Sequence, residues 1–549
     1  MVLSSVLWIC AFLSWQHVTL AARQVPFKTA PDADIADQFD LDFDLSSLKP
    51  VPLAVNGDPR NRVDLVYFGD GYTKNERDIF LADAQTLTDT LLEQGGAFSP
   101  VRALLNFWAV FIPSQESGIG TQGKPRNTTF GLYRPGEELR AVFCAYPQRV
   151  AAACQALEER TGYGCDEPIL LGNDGFYDGL GGTPTVITAS RNNGVQVLRH
   201  ELGHTLIPVG EEYDGGYAYF GVNAASLRPG SAKRSGKQVV PWSQWLSDPK
   251  ALEVGRVRVE DSRVAVQQYP WFDLSRSHYT IYFDAHGMDY PTALLRFSVS
   301  GVPSEDRLSV TLDGQEVVYA LSELHRGSLD RTWVLVILED GLRPRHSDNG
   351  HSLKFSATSL SDQIQPMLSS VEVIEYGLEA RFNRSADHVG AFQTVDVDGG
   401  ITLRPTNEGC LMRDVTVPTF CPVCLEGLTL SLLGRVSLIE ASGIQCPGRS
   451  RQGKDAARID RSGDSATITL SLLNMTDALY AIRWYNGPTE LEAFANQRTL
   501  QLPETRERGP PTSGGDWYTA QVRLSLPHVR LRDRQEMEDC VEVWFGGCD

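Results

Sequence analysis

In the run His200-Glu201-Leu202-Gly203-His204, two imidazoles stand four residues apart. On a helix that spacing puts both rings on one face, where they can bind a single Zn2+ ion. Glu201 then sits beside the ion as the general base that takes a proton from water. An ordinary amphipathic helix with two hydrogen-bonded histidines is the plainer reading, and three features weigh against it. The motif follows a strand and a Gly-rich loop that could offer an edge to an extended peptide, in a chain that carries a secretory leader. Pro208 and Gly210 stop the helix soon after His204, and the chain at once presents Glu211, Glu212, Tyr213 and Asp214. A catalytic zinc wants three protein ligands and an open position, so Glu211 or Glu212, brought back by the turn, supplies the third. No other histidine pair has ligand spacing on a helix; His346 and His351 lie in a polar stretch.

The elements that must position this motif follow an α/β rhythm. Residues 63–68 are a mostly apolar run with β-branched and aromatic side chains, a buried strand ending in the turn Gly69-Asp70-Gly71-Tyr72. Thr73 and Glu76 then read as a capping box, and Ile79, Phe80, Ala84, Leu87 and Leu91 mark one helix face. Asp70 is assigned to organising its turn. Strands at 107–112, 168–171 and 183–188, a helix at 149–160 and a helix from about 195 to 206 complete an α/β domain over a mixed sheet. Beyond about residue 254 the pattern is densely β, at 294–299, 308–312, 333–338 and 353–357, with an Asp313-Gly314 turn, which predicts a β-sandwich. A second β-rich region starts near Leu430, with strands at 466–472, 481–485 and 517–526. Its turns at Asn486-Gly487 and 510–515 predict an immunoglobulin-like sandwich.

The 549 residues carry a net charge of -19, 42% hydrophobic and 22% charged side chains, and ten cysteines, an ordinary globular composition with room for about three domains. The acidic balance and the lack of a basic cluster argue against nucleic acid as a partner. Residues 1–22 hold no charged side chain, an apolar run and small residues at Ala21 and Ala22, which reads as a secretory signal peptide; a signal anchor is the alternative. No later stretch is long and apolar enough for a membrane span. Residues 23–52 are an acidic leader, or a pro-segment whose aspartates cap a metal. Asn127, Asn383 and Asn474 are glycosylation sequons. Nine cysteines remain after signal removal, so one is unpaired within the chain. Cys421 and Cys424 have the spacing of half a zinc knuckle but are read as disulfide-bonded, because the compartment is oxidising and no second pair appears.

Three blocks resemble the IgA peptidase family of zinc metallopeptidases, which is metzincin-like. Residues 63–73, with Asn106-Phe107-Trp108 and Ser114-Gln115-Glu116-Ser117-Gly118, look like its opening. His200 to His204 with Gly210-Glu211-Glu212-Tyr213 looks like its HExxH and Gly-Asp-Glu-Tyr segment, with Glu211 where Asp is common. Arg404-Pro405, Gly409-Cys410-Leu411-Met412-Arg413 and Phe420-Cys421-Pro422-Val423-Cys424 look like the end of its peptidase domain. The resemblance implies a multidomain chain. Its parts are a peptidase domain in two pieces, 53–254 and 391–429, an inserted β-sandwich over 255–390, and a C-terminal immunoglobulin-like sandwich over 430–549. It implies peptide-bond hydrolysis, with a protein or peptide as substrate, and a Met-turn in which Met412 lies beneath the ion; a core methionine beside a disulfide is the alternative. Tyr213 is a candidate for stabilising the oxyanion, or else a structural hydroxyl. A non-catalytic adhesin with a vestigial metal site is the competing function. Its glycan contacts would run through the β-sandwiches, where Trp271 and Trp333 are either carbohydrate-binding or core aromatics.

Overall fold

The computed structural model describes residues 45, 48–136, 138–226, 240–248, 257–342, 350–358, 365–445, 466–502, 516–531 and 533–545. The segment 1–22, nearly all of the acidic leader, His346, the 510–515 turn, Cys446 and Cys548 lie outside these residues.

A six-stranded sheet carries the first half of the chain. Its strands are β1 (Pro50–Ala54), β2 (Val63–Asp70), β3 (Leu105–Val110), β4 (Glu167–Gly172), β5 (Gly179–Leu180) and β6 (Thr185–Thr188), in the order β1-β3-β2-β4-β6-β5. The four inner strands run parallel and the edge strands β1 and β5 antiparallel, so the sheet is mixed as the α/β rhythm predicts. Parallel strands need crossovers, which cover both faces and explain why β2, β3, β4 and β6 are buried throughout. The helices are α1 (Arg77–Leu91), α2 (Pro147–Thr161) and α3 (Gly194–Leu206), the last carrying the histidine motif. The capping box of Thr73 and Glu76 is present.

Asp70 does more than shape its own turn. It is fully buried and accepts hydrogen bonds from the backbone N–H groups of Phe130 (2.5 Å) and Leu132 (2.8 Å) and from the Thr128 hydroxyl (2.9 Å). It thereby fixes a loop some sixty residues downstream.

Residues 262–376 form two antiparallel sheets around one apolar core, in which Phe297 of one sheet meets Phe355 of the other at 5.3 Å between ring centres. The strand Thr292–Ser300 is buried on both faces. Its odd residues Leu295, Phe297 and Val299 enter that core, while Leu294, Arg296 and Ser298 point the other way. The chain then returns as the antiparallel pair Phe392–Val395 and Ile401–Arg404, of which the second pairs with Ala225–Ser226 across the intervening segment.

A fourth helix, α4 (Pro422–Leu433), replaces the β start expected near Leu430. Leu428, Leu430 and Leu432 suggest alternation, but this helix is buried on almost every side and so shows no amphipathic period. Strands resume at Ile439–Gln445. From there a three-stranded and a four-stranded antiparallel sheet share a core around Ile468, Trp484 and Tyr518. No helix among the described residues is long and apolar enough to cross a membrane.

Candidate metal centre

Helix α3 packs against β6, α1 and α4, with Val197, Leu198, Leu202 and Leu206 inward. Its half-buried face therefore carries His200, Glu201 and His204. The two imidazole rings stand 4.9 Å apart at 81°, with their Nε2 atoms 3.3 Å from each other. Behind them, His200 Nδ1 lies 3.1 Å from the carbonyl of Leu411 and His204 Nδ1 lies 3.4 Å from that of Val209. A carbonyl only accepts, so each Nδ1 carries a proton, and each Nε2 is the ring atom turned to the shared space.

The turn after α3 delivers the third ligand candidate. Glu211 places its carboxylate oxygens 3.4 Å from His200 Nε2 and 3.1 Å from His204 Nε2. Burial favours the neutral form of His200, but the hydrogen bond and charge of Glu211 outweigh it and lift the pKa to about 9. Burial pushes Glu211 upward while the two histidines pull it well below the usual carboxylate range. Two imidazole nitrogens and an ionised carboxylate within 4.8 Å of one another fit a zinc ion, which would take the place of the proton that Glu211 favours on the imidazoles. With side-chain exposures of 12%, 19% and 17%, the three remain open to solvent, as a catalytic position requires.

Glu212 is not brought to the histidines. Its side chain turns the opposite way, fully buried beside Cys410, Cys421 and Cys424. Alternation along an extended segment is the reason: adjacent residues face opposite sides, so only one of the two glutamates can reach His200 and His204. Burial together with the charge of Glu211 holds the Tyr213 pKa well above the ordinary value.

Glu201 lies against β5. A Cβ on Gly179 would come within 3.0 Å of Glu201 Cγ and one on Gly181 within 3.0 Å of Glu201 Oε2, so only glycine leaves room for the base. The Gly181 N–H also bonds the Glu201 carboxylate. Burial raises the Glu201 pKa, with the histidines opposing.

Met412 is fully buried under α3, its sulfur against Gly203, while Leu411 beside it supplies the carbonyl for His200. Neither Trp271 nor Trp333 enters the core of the 262–376 sheets. Both stack on Arg331, and Trp333 meets Tyr177 at 5.1 Å between ring centres. Asn127, Asn383 and Asn474 are all exposed.

Over residues 51–254 the sequence matches the model of the IgA Peptidase M64 family. This segment belongs to that family. M64 peptidases are metallopeptidases, so the chain carries the segment of a peptide-bond hydrolase. His200, Glu201, His204 and Glu211 all fall inside the M64 segment; Leu411 and Met412, which support the first histidine and the helix, fall outside it. No curated protein matches the sequence. Among solved structures, a family 35 carbohydrate binding module from Clostridium thermocellum is 11% identical, covering 21% of this chain and 91% of its own, with a TM-score of 0.13. A GH2 beta-galacturonidase from Eisenbergiella tayi bound to galacturonate is 14% identical, covering 49% of this chain and 35% of its own, with a TM-score of 0.10.

One supporting residue carries no local signal in the sequence. Asp330 accepts hydrogen bonds from the Tyr177 N–H (2.5 Å), the Ser190 hydroxyl (2.6 Å) and the Asn193 amide (2.7 Å), and Asn193 caps the start of α3. It thus reaches from the 262–376 sheets to the N-terminus of the motif helix.

Proposed function

We propose that the protein is a secreted zinc-dependent endopeptidase in which His200, His204 and Glu211 hold one catalytic ion and Glu201 is the general base. The observation that carries this reading is the convergence of the two imidazole Nε2 atoms and the Glu211 carboxylate at 3.1–3.4 Å, beside Glu201 on the same helix as the histidines. Zinc in this position supplies Lewis-acid polarisation of a carbonyl and makes water nucleophilic near neutral pH. Glu201, held by the Gly181 N–H, takes the proton of the attacking water and returns it to the leaving amine. Its raised pKa brings it nearer to neutrality, which favours both transfers. The antiparallel edge strand β5 runs directly beside Glu201 and suits an extended peptide added by strand pairing.

In this reading the peptidase domain is interrupted. Residues 53–254 are completed by 391–429, the sandwich between them is an insertion, and the C-terminal immunoglobulin-like sandwich begins after Leu433. Arg413 supports the arrangement, since it joins Asp214 (2.8 Å), Glu408 (3.2 Å) and Glu372 (3.3 Å), one from each stretch. Secretion rests on the leader at 1–22, and the exposed sequons are glycosylated. The reading is tested by digesting a peptide library before and after chelation: cleavage stops on removal of metal and returns with zinc. Cleavage that persists in the metal-free protein contradicts it.

A further inference from the structure

Behind the catalytic position lies a second group of metal-ligand side chains. Cys410, Cys421, Cys424 and Glu212 bring one ligand atom each to within 4.8 Å of one another. They are sealed: Cys410, Cys424 and Glu212 are fully buried and Cys421 is 2% exposed. The three cysteines are unbridged, which corrects the expectation of a disulfide at Cys421 and Cys424; Cys154 and Cys165 are bridged to each other.

The chemistry of the group favours a cation. Oε1 of Glu212 accepts from Asn223 (3.0 Å) and lies 3.5 Å from the Cys424 sulfur, while Oε2 is buried among the thiols with no hydrogen-bond partner. A carboxylate oxygen left so costs about 1–3 kcal/mol unless something positive meets it. The Cys421 N–H donates to the Cys410 sulfur at 3.4 Å, and Cys421 is the N-cap of α4 with Cys424 in its first turn, where the helix N-terminus supports negative sulfur. A redox Cys-x-x-Cys needs access for its partner thiol, which this burial denies. Any bridge between two of the three cysteines would leave the third beside an unsatisfied carboxylate.

We propose that Cys410, Cys421, Cys424 and Glu212 form a second, closed zinc site, structural rather than catalytic. Four protein ligands with no open position are what distinguishes such a site from the solvent-reached one in front of it. It fastens the catalytic position from behind. Glu212 adjoins Glu211, the third catalytic ligand, and Cys410 adjoins Leu411, whose carbonyl orients His200. The Glu212 N–H donates to the Met412 carbonyl at 3.1 Å, so the ion locks together two segments that a backbone hydrogen bond already joins.

The test uses the full chain and its His200→Ala/His204→Ala variant, purified with zinc and freed of loosely held metal. Wild type holds two zinc ions per chain and the variant one, and the remaining ion shows three sulfurs at about 2.3 Å and one oxygen at about 2.0–2.2 Å in X-ray absorption. A variant without zinc, or a remaining ion without sulfur neighbours, overturns the proposal. As a check independent of any variant, wild type is alkylated in denaturant and chelator without reductant and mapped by peptide. All three cysteines are alkylated as thiols; a disulfide joining any two of them overturns the proposal. Neither readout depends on peptidase activity, so failure of the catalytic reading would leave this result standing.

Discussion

The sulfur of Met412 stands 2.8 Å from the point a Cβ on Gly203 would occupy, so the helix turn between the two histidines rests directly on that methionine. Phe420 closes the same space from 3.2 Å. The sequence can place Gly203 inside the motif and Met412 over two hundred residues away, but only the fold makes them one contact.

Gly203→Ala therefore forces sulfur and ring apart. Alanine gains up to about 1 kcal/mol of helix propensity over glycine, but overpacking a filled core costs about 1–3 kcal/mol, and the neighbours have no free volume to enter. A net loss of about 1–2 kcal/mol is expected by denaturant unfolding, with weaker zinc retention as the Leu411 carbonyl moves. Met412→Leu, close in volume, should cost less.

The two adjacent glutamates separate cleanly. Glu211→Gln keeps the shape and removes the charge facing both histidines, so it loses the catalytic ion and the cleavage together. Glu212→Gln leaves the histidine site its full ligand set and loses the ion at the cysteines. Zinc per chain, measured beside digestion of the same peptide library, distinguishes the two variants.

Asp330 ties the motif helix to the β-rich segment. Asp330→Ala strands the donors of Tyr177, Ser190 and Asn193 in buried positions, with an expected loss on the order of 2–4 kcal/mol. Because Tyr177 leads into β5 and Asn193 into α3, kcat should fall along with stability. Denaturant unfolding and steady-state kinetics on one substrate read the two effects.

Acid stability reports on Asp64. Burial raises its pKa to about 6, against the opposing hydrogen bonds of Trp108 (2.8 Å) and Asn106 (2.9 Å). A carboxyl that binds its proton more tightly in the folded state stabilises the fold at low pH, and that contribution is lost as pH rises from about 4 through 6. Asp64→Asn keeps an acceptor and removes the titration. The Tm of the variant relative to wild type should therefore improve between pH 4.5 and pH 7.5; an unchanged difference contradicts the assignment.

Much of the first half was legible because its signals are local. The apolar run of β2, the capping box at Thr73 and Glu76, and the four-residue spacing of His200 and His204 each depend on near neighbours. What escaped depends on chain return. The choice between Glu211 and Glu212 is set by which side of one extended segment faces α3. The grouping of Cys421 and Cys424 with Glu212 needs a residue two hundred positions earlier, so spacing alone reads them as a pair to be bridged. Helix α4 was hidden because full burial removes the period by which a helix announces itself.

Glu201 is assigned to act on water at a zinc ion held by His200, His204 and Glu211. Zinc content and peptide-library digestion, measured side by side on wild type and Glu201→Ala, separate this role from that of a ligand. Because Glu201 is the base and not a ligand, the account predicts equal zinc in both proteins and a rate lower by roughly 10²–10⁴ in the variant. Equal digestion by the two proteins would contradict it.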